Sequence, residues 1–492
     1  MSKNKTLCIA EWQSFGKDEI KATIADMDDE KAQKIFDELK AFANQKGNFD
    51  DREGNHIFLT PYRNNHLKAR NYVGLIQTKS GFCLEILPKT FRTANENEGF
   101  EKHQDKINEA KDILLNMLKT LKNSPFKQSH ISNLKTQNTP LLEIFVIMFL
   151  NELETLIKKG LKSDYIECEQ NRKFLKGKLL FTQNLKHNFA HKERFFTASD
   201  EFSSDIAPNK LIKSTLLLLS TRNFSTKTNA RIMQSRFVFD EISPSQNYDK
   251  DFAKCVNLRH FKAYELILLW CKIFLKKQTF TAYQGSQNAF ALLFDMNELF
   301  ESFVAWHLKK RLVNHIVKAQ DERKFLMQGD KFKIKPDLVI YDKTDTKLEN
   351  PPKIIADTKW KILSVDEAKN FSISQSDLYQ VFAYLSKYQC QNGILIYPKI
   401  DDENNDLQKL NEKVFKYKAK LCFFDKEQSE KLKINKEDIK KLKVNDIENL
   451  LDEVNKVYKK QDITLRICFF DVNEPKKATI SFSSKTLILS SN

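Results

Sequence analysis

Two aspartates and a lysine in the last third of the chain have the residue types and the spacing of a metal-dependent site. Asp337 borders the apolar run 338–340, and Asp357 and Lys359 follow the apolar run 354–356. Residues i and i+2 of a β-strand point to the same face, so Asp357 and Lys359 share one side of their strand. Two neighbouring buried strands that each carry a carboxylate at one end would place both within reach of one cation. Oxygen ligands of this kind suit Mg²⁺, which keeps several waters for a phosphate substrate.

The chemistry open to this set is hydrolysis of a phosphodiester. Asp337 and Asp357 would hold Mg²⁺, with the backbone carbonyl of Thr358 as a third oxygen ligand. The metal would neutralise charge on the scissile phosphate and lower the pKa of a bound water. Lys359 would position or activate the attacking water, or stabilise the negative charge that develops at phosphorus.

Two further residues are candidates for the same site. Glu301 lies in the helical stretch MNELFESFV and would be an additional ligand of the metal or of its water. Gln380 lies in the helical stretch DLYQVFAYL and could hydrogen-bond a phosphate or the nucleophile. The strands KPDLVIYD and IIADTKWKI stand between these helices, and the apolar strand GILIYP follows. This order of strand, strand, helix and strand, behind a long helix, predicts a mixed α/β domain.

The rest of the chain predicts two further regions. Residues 1–100 are expected to be β-rich, with a hairpin turn at Lys79-Ser80-Gly81, where Gly81 supplies a positive φ. Residues 101–284 are expected to be mainly helical, with an irregular, basic stretch at 165–205. Apolar residues at three- and four-residue spacing predict helices at 107–121, 141–157, 209–219, 258–276 and 288–312. The sequence therefore predicts an α+β multidomain protein, divided into 1–100, 101–284 and 285–492.

Composition narrows the class of protein and its partners. A chain of 492 residues, 41% of them hydrophobic, can build about three folded domains of roughly 150 residues each. The 81 lysines and arginines exceed the 65 aspartates and glutamates by 16, which favours a polyanionic partner. No apolar stretch is long enough to cross a bilayer and no secretory signal is visible, so a cytoplasmic protein is expected. The eight scattered cysteines contain no CxxC pair and are expected to be reduced.

The order Glu, Pro-Asp, Asp-x-Lys and Gln resembles the core of PD-(D/E)XK nucleases. The surrounding sequence is similar to McrC, the nuclease subunit of GTP-dependent McrBC-type restriction systems. This resemblance rests also on GLIQTKSGFCLEILPK, FLKGKLLFTQN, DEFSSDIAPNKLIK and FDMNELFESFV, and it covers most of residues 70–400. It implies a C-terminal PD-(D/E)XK (restriction-endonuclease-like) domain and a Mg²⁺-dependent endonuclease that cleaves foreign double-stranded DNA.

The resemblance also assigns residues. Asp337, Asp357 and Lys359 match the metal and lysine positions of the nuclease motif without substitution. Glu301 matches the acidic position on the preceding helix, with Glu298 on the same helical face as the alternative. The final Gln of the motif order is Gln380.

A partner is implied by the resemblance as well. It is a ring-forming, McrB-like AAA+ GTPase. The N-terminal region 1–100 of this chain would dock onto that ring and stimulate its GTPase activity. GTP would be bound by that partner, because this chain has no GxxxxGK[ST] phosphate-binding motif. A dimer of such complexes would allow both DNA strands to be cut.

Other interpretations stay open. The Asp-x-Lys could be a structural ion pair, or the domain a former nuclease core that only binds DNA. The chain could then be a non-cleaving activator of a partner NTPase, and a third alternative is a RecB-like repair nuclease that works alone. His187 and His191 in HNFAH lack the glutamate of an HExxH zinc site and are expected to be exposed. The basic segment 172–194 suits DNA phosphates or an acidic partner surface, and the lysine-rich stretch 426–443 has the charge pattern of a solvated helix.

Overall fold

The chain divides into two compact units, unit 1 (1–295) and unit 2 (296–492). The computed structural model describes residues 6–24, 27–45, 49–50, 55–90, 100–121, 124–128, 139–255, 263–276, 289–327, 329–363, 367–399, 414–416, 421–423, 459–461, 464–473 and 475. Helices and sheets occur in both units, which confirms a mixed α and β multidomain protein. The finer division into 1–100, 101–284 and 285–492 stays a prediction.

Unit 1 combines helices with several small sheets. Its strands are β1 (Thr6–Ala10), β2 (Ser14–Phe15), β3 (Phe49–Asp50), β4 (Asn55–His56), β5 (Leu59–Tyr62), β6 (His66–Ala69), β7 (Tyr72–Thr78), β8 (Cys83–Leu87), β9 (Asp164–Arg172), β10 (Lys178–Leu179), β11 (Phe195–Ser203) and β12 (Ala289–Asp295). Its α-helices are α1 (Lys17–Thr23), α2 (Asp29–Ala43), α3 (Phe100–Leu118), α4 (Leu141–Lys158), α5 (Phe181–Asn188), α6 (Ala207–Ser220), α7 (Thr226–Val238), α8 (Tyr248–Cys255) and α9 (Glu265–Lys276).

The four-stranded sheet of unit 1 has the order β1-β8-β7-β12. β7 and β8 form the antiparallel hairpin predicted from the sequence, and Gly81 in its turn has a φ of 83°. β1 joins β8 in parallel, and β12 joins β7 antiparallel. Gly74 of β7 has a φ of 132°, and a Cβ on it would lie 2.0 Å from the carbonyl oxygen of Leu292. Only glycine therefore fits where β7 meets β12.

One prediction for unit 1, a helix that begins at residue 288, is wrong. Residues 289–295 form β12, and not the start of a helix over 288–312, because they pair with β7 along their whole length. A short apolar run suits a buried strand as well as a helix, and here the long-range pairing decides. The described part of region 1–100 contains the strands β1–β8 together with the helices α1 and α2. α2 buries side chains at the spacing of an amphipathic helix, namely Ile35, Phe36, Leu39 and Phe42.

The basic stretch 165–205 is ordered, so the expectation of irregular structure is also wrong. Its strands form a sheet of order β10-β11-β9, and α5 lies between β10 and β11 in the chain. β9 and β11 pair antiparallel, from Phe195 with Arg172 to Ser203 with Asp164. Side chains along β9 are exposed or half-buried. The strand therefore lacks the alternation of apolar and polar residues by which a sequence reveals a strand.

Several smaller expectations can be compared with the described residues. The helix predicted at 141–157 is confirmed as α4, and its Phe145, Met148 and Phe149 are buried core residues. The seven cysteines whose side chains are described form no disulfide. None of the helices within the described ranges is long and apolar enough to cross a bilayer. The stretch 426–443 lies outside the described residues.

Unit 2 is built on a six-stranded sheet of order β13-β16-β17-β18-β22-β19. The strands of unit 2 are β13 (His315–Ala319), β14 (Phe325–Met327), β15 (Lys331–Lys333), β16 (Leu338–Asp342), β17 (Ile354–Thr358), β18 (Asn392–Lys399), β19 (Val414–Lys416), β20 (Leu421–Phe423), β21 (Lys459–Gln461) and β22 (Thr464–Asp471), and its α-helices are α10 (Met296–Arg311) and α11 (Gln375–Tyr388). β16 is antiparallel to β13 and β17, whereas β17, β18 and β22 are parallel. The predicted order of strand, strand, helix and strand is confirmed as β16, β17, α11 and β18.

The side chains of this sheet alternate between its two faces. On one face Val339 and Ile355 pack in the same core cluster as Val381 of α11. On the other face Phe470 of β22 contacts Phe303 of α10, with ring centroids 5.9 Å apart. The sheet therefore lies between the two helices, and α11 covers the face that carries the odd-numbered residues of β16 and β17.

Candidate functional site

Asp337 and Asp357 occupy facing positions at one end of β16 and β17. The two strands are antiparallel, with Leu338 opposite Ala356. One residue further along this register, Asp337 stands opposite Asp357. Directly opposite residues of an antiparallel pair project to the same face, which here is the face covered by α11. The two carboxylates therefore share both a face and an end of the sheet, as the sequence predicted.

Asp337 is held by the strand opposite. Its Oδ2 accepts hydrogen bonds from the backbone N–H and from the hydroxyl of Thr358, each 2.7 Å long. Its backbone carbonyl accepts a hydrogen bond of 2.8 Å from the N–H of Gln320. These three bonds fix the half-buried carboxylate against the end of β17.

The side chain of Asp357 is fully buried. Its Oδ2 lies 2.6 Å from Nζ of Lys359, and its Oδ1 has no hydrogen-bond partner among the described residues. Burial, and after it the negative charge of Asp337, raises the pKa of Asp357 to about 7. A buried carboxylate oxygen without a partner costs free energy, and a cation at this position would remove that cost.

Lys359 joins the carboxylates to α11. Its Nζ donates a hydrogen bond of 2.9 Å to Oε1 of Gln380, and it lies 4.0 Å from Oδ1 of Asp377. Burial acts to lower the pKa of Lys359, but the neighbouring carboxylates, Asp357 first among them, outweigh burial and raise it. Lys359 is therefore a charged ammonium whose position is set by three side chains.

Gln380 is oriented by a second residue of α11. Its Nε2 donates a hydrogen bond of 2.8 Å to the hydroxyl of Tyr384. The Tyr384 hydroxyl in turn donates a bond of 3.3 Å to the backbone carbonyl of Lys335, two residues before Asp337. Gln380 thus lies in the site, where its amide oxygen holds Lys359.

Of the two glutamates on α10, Glu301 is half-buried and Glu298 is exposed. Burial, and next the charge of Asp337, raises the pKa of Glu301 to about 8, against a hydrogen bond with Gln320 that lowers it. Gln320 links the glutamate to the carboxylate pair, because it hydrogen-bonds Glu301 while its N–H donates to the carbonyl of Asp337. The structure therefore brings Glu301 to the site.

Sequence reasoning missed two residues of this site, Asp377 and Tyr384. Asp377 is buried and accepts a charged hydrogen bond of 2.6 Å from Lys361, while it also lies beside Lys359. Both missed residues lie on the helical face of Gln380, at three and four residues from it. Their spacing from Gln380 was the sequence signal that could have identified both residues.

The side chains suit a cation that needs few protein ligands. Two carboxylates from neighbouring strands, with Glu301 nearby, offer the oxygen atoms that Mg²⁺ prefers. Among the described residues, no three Asp, Glu, His or Cys side chains are arranged closely enough to hold a metal by themselves. The set therefore fits a metal that completes its coordination with water and substrate.

The two histidines of HNFAH have neighbours other than each other. His187 and His191 are both exposed, as expected. The His187 ring stacks on Phe196, with centroids 5.2 Å apart, and Nδ1 of His191 lies 3.3 Å from the Glu193 carboxylate.

The chain matches a model of a known protein family. The family model described as "McrBC 5-methylcytosine restriction system component" matches residues 67–398. This range contains the five candidate residues Glu301, Asp337, Asp357, Lys359 and Gln380.

Chains of solved structures resemble this chain, among them the following two. A chain of the "Refined half-complex from tetradecameric assembly of Thermococcus gammatolerans McrB AAA+ hexamers with bound McrC" aligns with a TM-score of 0.56 and 18% identity, over 95% of this chain and 94% of that chain. A chain of the "Cryo-EM structure of the Thermococcus gammatolerans McrBC complex" aligns with a TM-score of 0.41 and 21% identity, over 63% of this chain and 88% of that chain. The first of these shows a shared fold. No curated protein matches the chain significantly.

The matched range spans more than half of the 492 residues, and it includes both the hairpin of unit 1 and the carboxylate site of unit 2. The resemblance to McrC noted in the sequence is thereby confirmed, and the chain belongs to the McrBC 5-methylcytosine restriction system component family.

Proposed function

We propose that this chain is the Mg²⁺-dependent DNA endonuclease subunit of a two-component, GTP-dependent restriction system, and that unit 2 is its PD-(D/E)XK nuclease domain. The observation that carries the proposal is the pair Asp337 and Asp357 on one face of the sheet, with the Lys359 ammonium 2.6 Å from Asp357. Family membership supports a restriction system as the setting.

Asp337 and Asp357 would hold the metal, and Glu301 would bind either the metal or its water. When bound, Mg²⁺ would neutralise charge on the scissile phosphate and lower the pKa of a water ligand. The buried Oδ1 of Asp357, which lacks a partner among the described residues, supports this role.

The other side chains position the carboxylate and the attacking water, and stabilise the charge at phosphorus. Thr358 keeps the Asp337 carboxylate turned toward β17 through two hydrogen bonds. Lys359, held by Gln380, positions the attacking water and stabilises the negative charge that develops at phosphorus. Gln380 acts through Lys359, and is therefore a positioning residue.

The partner in this proposal is an McrB-like AAA+ GTPase, which binds the GTP and admits or moves the double-stranded DNA. Support comes from the fold shared with a chain from an assembly of McrB AAA+ hexamers with bound McrC. Unit 1, with region 1–100 foremost, would contact that ring. The system would act in the cytoplasm, and pairing of two complexes would allow double-strand cleavage.

The test uses the full chain with an McrB-like GTPase, GTP, Mg²⁺ and plasmid DNA in methylated and unmethylated forms. Asp357→Asn and Lys359→Ala should each slow cleavage by about 10³-fold or more, since each removes a group that acts on the transition state. Stimulation of GTP hydrolysis should stay at the wild-type level. Glu349→Gln is the matched control, because it removes an exposed carboxylate in the loop at the other end of β16 and should cleave normally.

Three results would contradict the proposal. Cleavage by Asp357→Asn at the wild-type rate would remove the assignment of the site. A wild-type chain that stimulates GTP hydrolysis but never nicks DNA would be a non-cleaving activator. Efficient cleavage by the chain alone would identify a nuclease of the RecB-like kind that works without a motor.

A further inference from the structure

A β-hairpin leads directly into the candidate nuclease site. β14 and β15 pair antiparallel, with Phe325 opposite Lys333 and Met327 opposite Lys331. Three residues separate Lys333 at the end of β15 from Asp337. We call the described residues 324–327 and 329–335 the site hairpin.

The base of the site hairpin is anchored. The N–H of Ile334 donates a hydrogen bond of 3.1 Å to the carbonyl of Lys324, and Ile334 and Leu326 pack in the core cluster beneath α11. The Tyr384 hydroxyl donates to the carbonyl of Lys335 and also accepts from Gln380. A continuous hydrogen-bonded path therefore runs from Lys359 through Gln380 and Tyr384 to the base of the hairpin.

The tip of the site hairpin exposes large apolar side chains. Met327 is 56% exposed and Phe332 is 72% exposed. Phe332 also has a φ of 57°, a left-handed conformation that is unfavourable for an aromatic residue in a strand. A costly backbone conformation that presents an aromatic ring to solvent is typical of a binding element.

Positive charge surrounds these apolar side chains. Lys324 and Lys331 are exposed and form no ion pair within the described part of the chain. Lys333 and Lys335 share the carboxylate of Glu322, at 2.9 Å and 3.1 Å. Exposed ion pairs of this kind contribute little, so both lysines can exchange Glu322 for a phosphate.

We propose that the site hairpin is the element of unit 2 that grips duplex DNA beside the scissile phosphate, with its lysines on the phosphates and Met327 and Phe332 in a groove. The inference rests on the proposed nuclease function, since it names the surface that would present DNA to that site. Lysines at the rim suit the backbone of DNA, and apolar side chains from a hairpin can wedge against base steps in the groove.

The test measures binding of a short fluorescent DNA duplex to the full chain by anisotropy in Ca²⁺ without Mg²⁺, so that cleavage does not interfere. Lys324→Gln with Lys331→Gln should weaken binding about 10-fold and reduce the slope of log affinity against log salt by about 2, since each phosphate contact contributes about 0.9. Phe332→Ala with Met327→Ala should weaken binding about 10-fold and leave that slope unchanged, because apolar contacts release no counterions.

Matched controls come from the opposite end of β16. Lys343→Gln with Lys347→Gln removes the same charge from exposed positions, and Val313→Ala truncates an apolar side chain that is 64% exposed. Both controls should bind DNA as the wild type does. Thermal unfolding of every variant, compared with the wild type, separates loss of contact from loss of folding.

The outcomes separate this inference from the nuclease proposal. Wild-type affinity and salt slope in both hairpin variants, or no duplex binding by the wild-type chain, would overturn the hairpin inference. Hairpin variants that bind DNA normally but no longer stimulate the partner GTPase would assign the hairpin to a protein contact instead. If Asp357→Asn leaves cleavage unchanged while the hairpin variants lose DNA affinity, the nuclease assignment fails and the hairpin inference stands.

Discussion

The amide oxygen of Gln380 accepts a hydrogen bond of 2.9 Å from the ammonium of Lys359. This bond crosses from α11 to the residue that follows β17, and it holds the lysine while its charge is paired with Asp357 at 2.6 Å. The side chain of Gln380 is itself exposed. Its contribution should therefore appear in activity and hardly in stability.

Gln380→Leu removes the acceptor that orients Lys359. Cleavage should slow by about 10- to 100-fold, because a small misplacement of a reacting group costs up to about 10²-fold. The free energy of unfolding should change by less than about 1 kcal/mol, the usual value for a hydrogen bond near the surface. Single-turnover cleavage and urea denaturation measure the two effects.

Lys387→Ala is the control for that variant, since it removes an exposed side chain from the same helix. It should affect neither quantity. A Gln380→Leu protein that cleaves as fast as the Lys387→Ala protein would show that Lys359 needs no support from α11.

The raised pKa of Asp357 predicts a pH dependence of the metal-free protein. Its pKa rises from the ordinary 3.8 to about 7 in the folded state, so between these values the folded state binds more protons than the unfolded state. The contribution of Asp357 to the free energy of unfolding is therefore fully present below pH 4, and it is lost as the pH rises toward 7. The pKa of Glu301, raised to about 8, acts in the same direction.

Asp357→Asn should flatten this dependence, because asparagine does not titrate. The measurement is urea denaturation of both proteins in EDTA at several pH values between about 4 and about 8. Mg²⁺ should bind more tightly to the wild type as the pH rises, since the metal competes with protons for the carboxylates. Identical pH slopes for the two proteins would show that Asp357 titrates in its ordinary range.

Gly74→Ala should strongly destabilise unit 1. The new Cβ would lie 2.0 Å from the carbonyl of Leu292, at a φ of 132° that only glycine adopts readily. Gly81→Ala is the matched control on the same hairpin, because its φ is also positive, at 83°, but a Cβ there meets nothing within 4 Å. We expect Gly81→Ala to lower the free energy of unfolding by about 1–2 kcal/mol, from the backbone conformation alone. Gly74→Ala should lower it by more than about 3 kcal/mol. Equal losses in chemical denaturation would disprove the close approach of β7 and β12.

Lys111→Met should lower the free energy of unfolding by about 3–5 kcal/mol, because it leaves the buried carboxylate of Glu85 without its cation. Nζ of Lys111 lies 2.8 Å from Oε2 of Glu85, and both side chains are almost completely buried. Oε1 of Glu85 also accepts a 2.6 Å bond from the N–H of Leu141 at the start of α4. Adding Glu85→Gln to Lys111→Met should recover part of the loss in denaturation experiments. Lys31→Met, which breaks an exposed pair with Asp28, should have a far smaller effect.

The centre of the candidate site could be predicted because its signals are local. Asp337, Asp357 and Lys359 stand beside apolar runs, and the two-residue period of a strand places Asp357 and Lys359 on one side. The contact between Gln380 and Lys359 could not be derived in the same way, because it depends on how α11 lies on the sheet.

Other parts of the fold lacked a local signal. β9 is exposed along most of its length, so no apolar alternation marked it as a strand. β12 is apolar throughout, and only its pairing with β7 distinguishes it from a helix. β22 was not predicted either, because its place beside β18 depends on a contact between segments about 70 residues apart in the chain.

The position of β22 has a consequence for the newly made protein. β18, which pairs with the strand of Asp357, has β22 as its other neighbour over eight residues. The chain must therefore be synthesised as far as residue 471 before the sheet that carries the candidate site is complete, and until then β18 has an unpaired edge that favours aggregation. Translation that stops early should therefore yield an aggregation-prone fragment and not a folded unit 2 with an assembled carboxylate site.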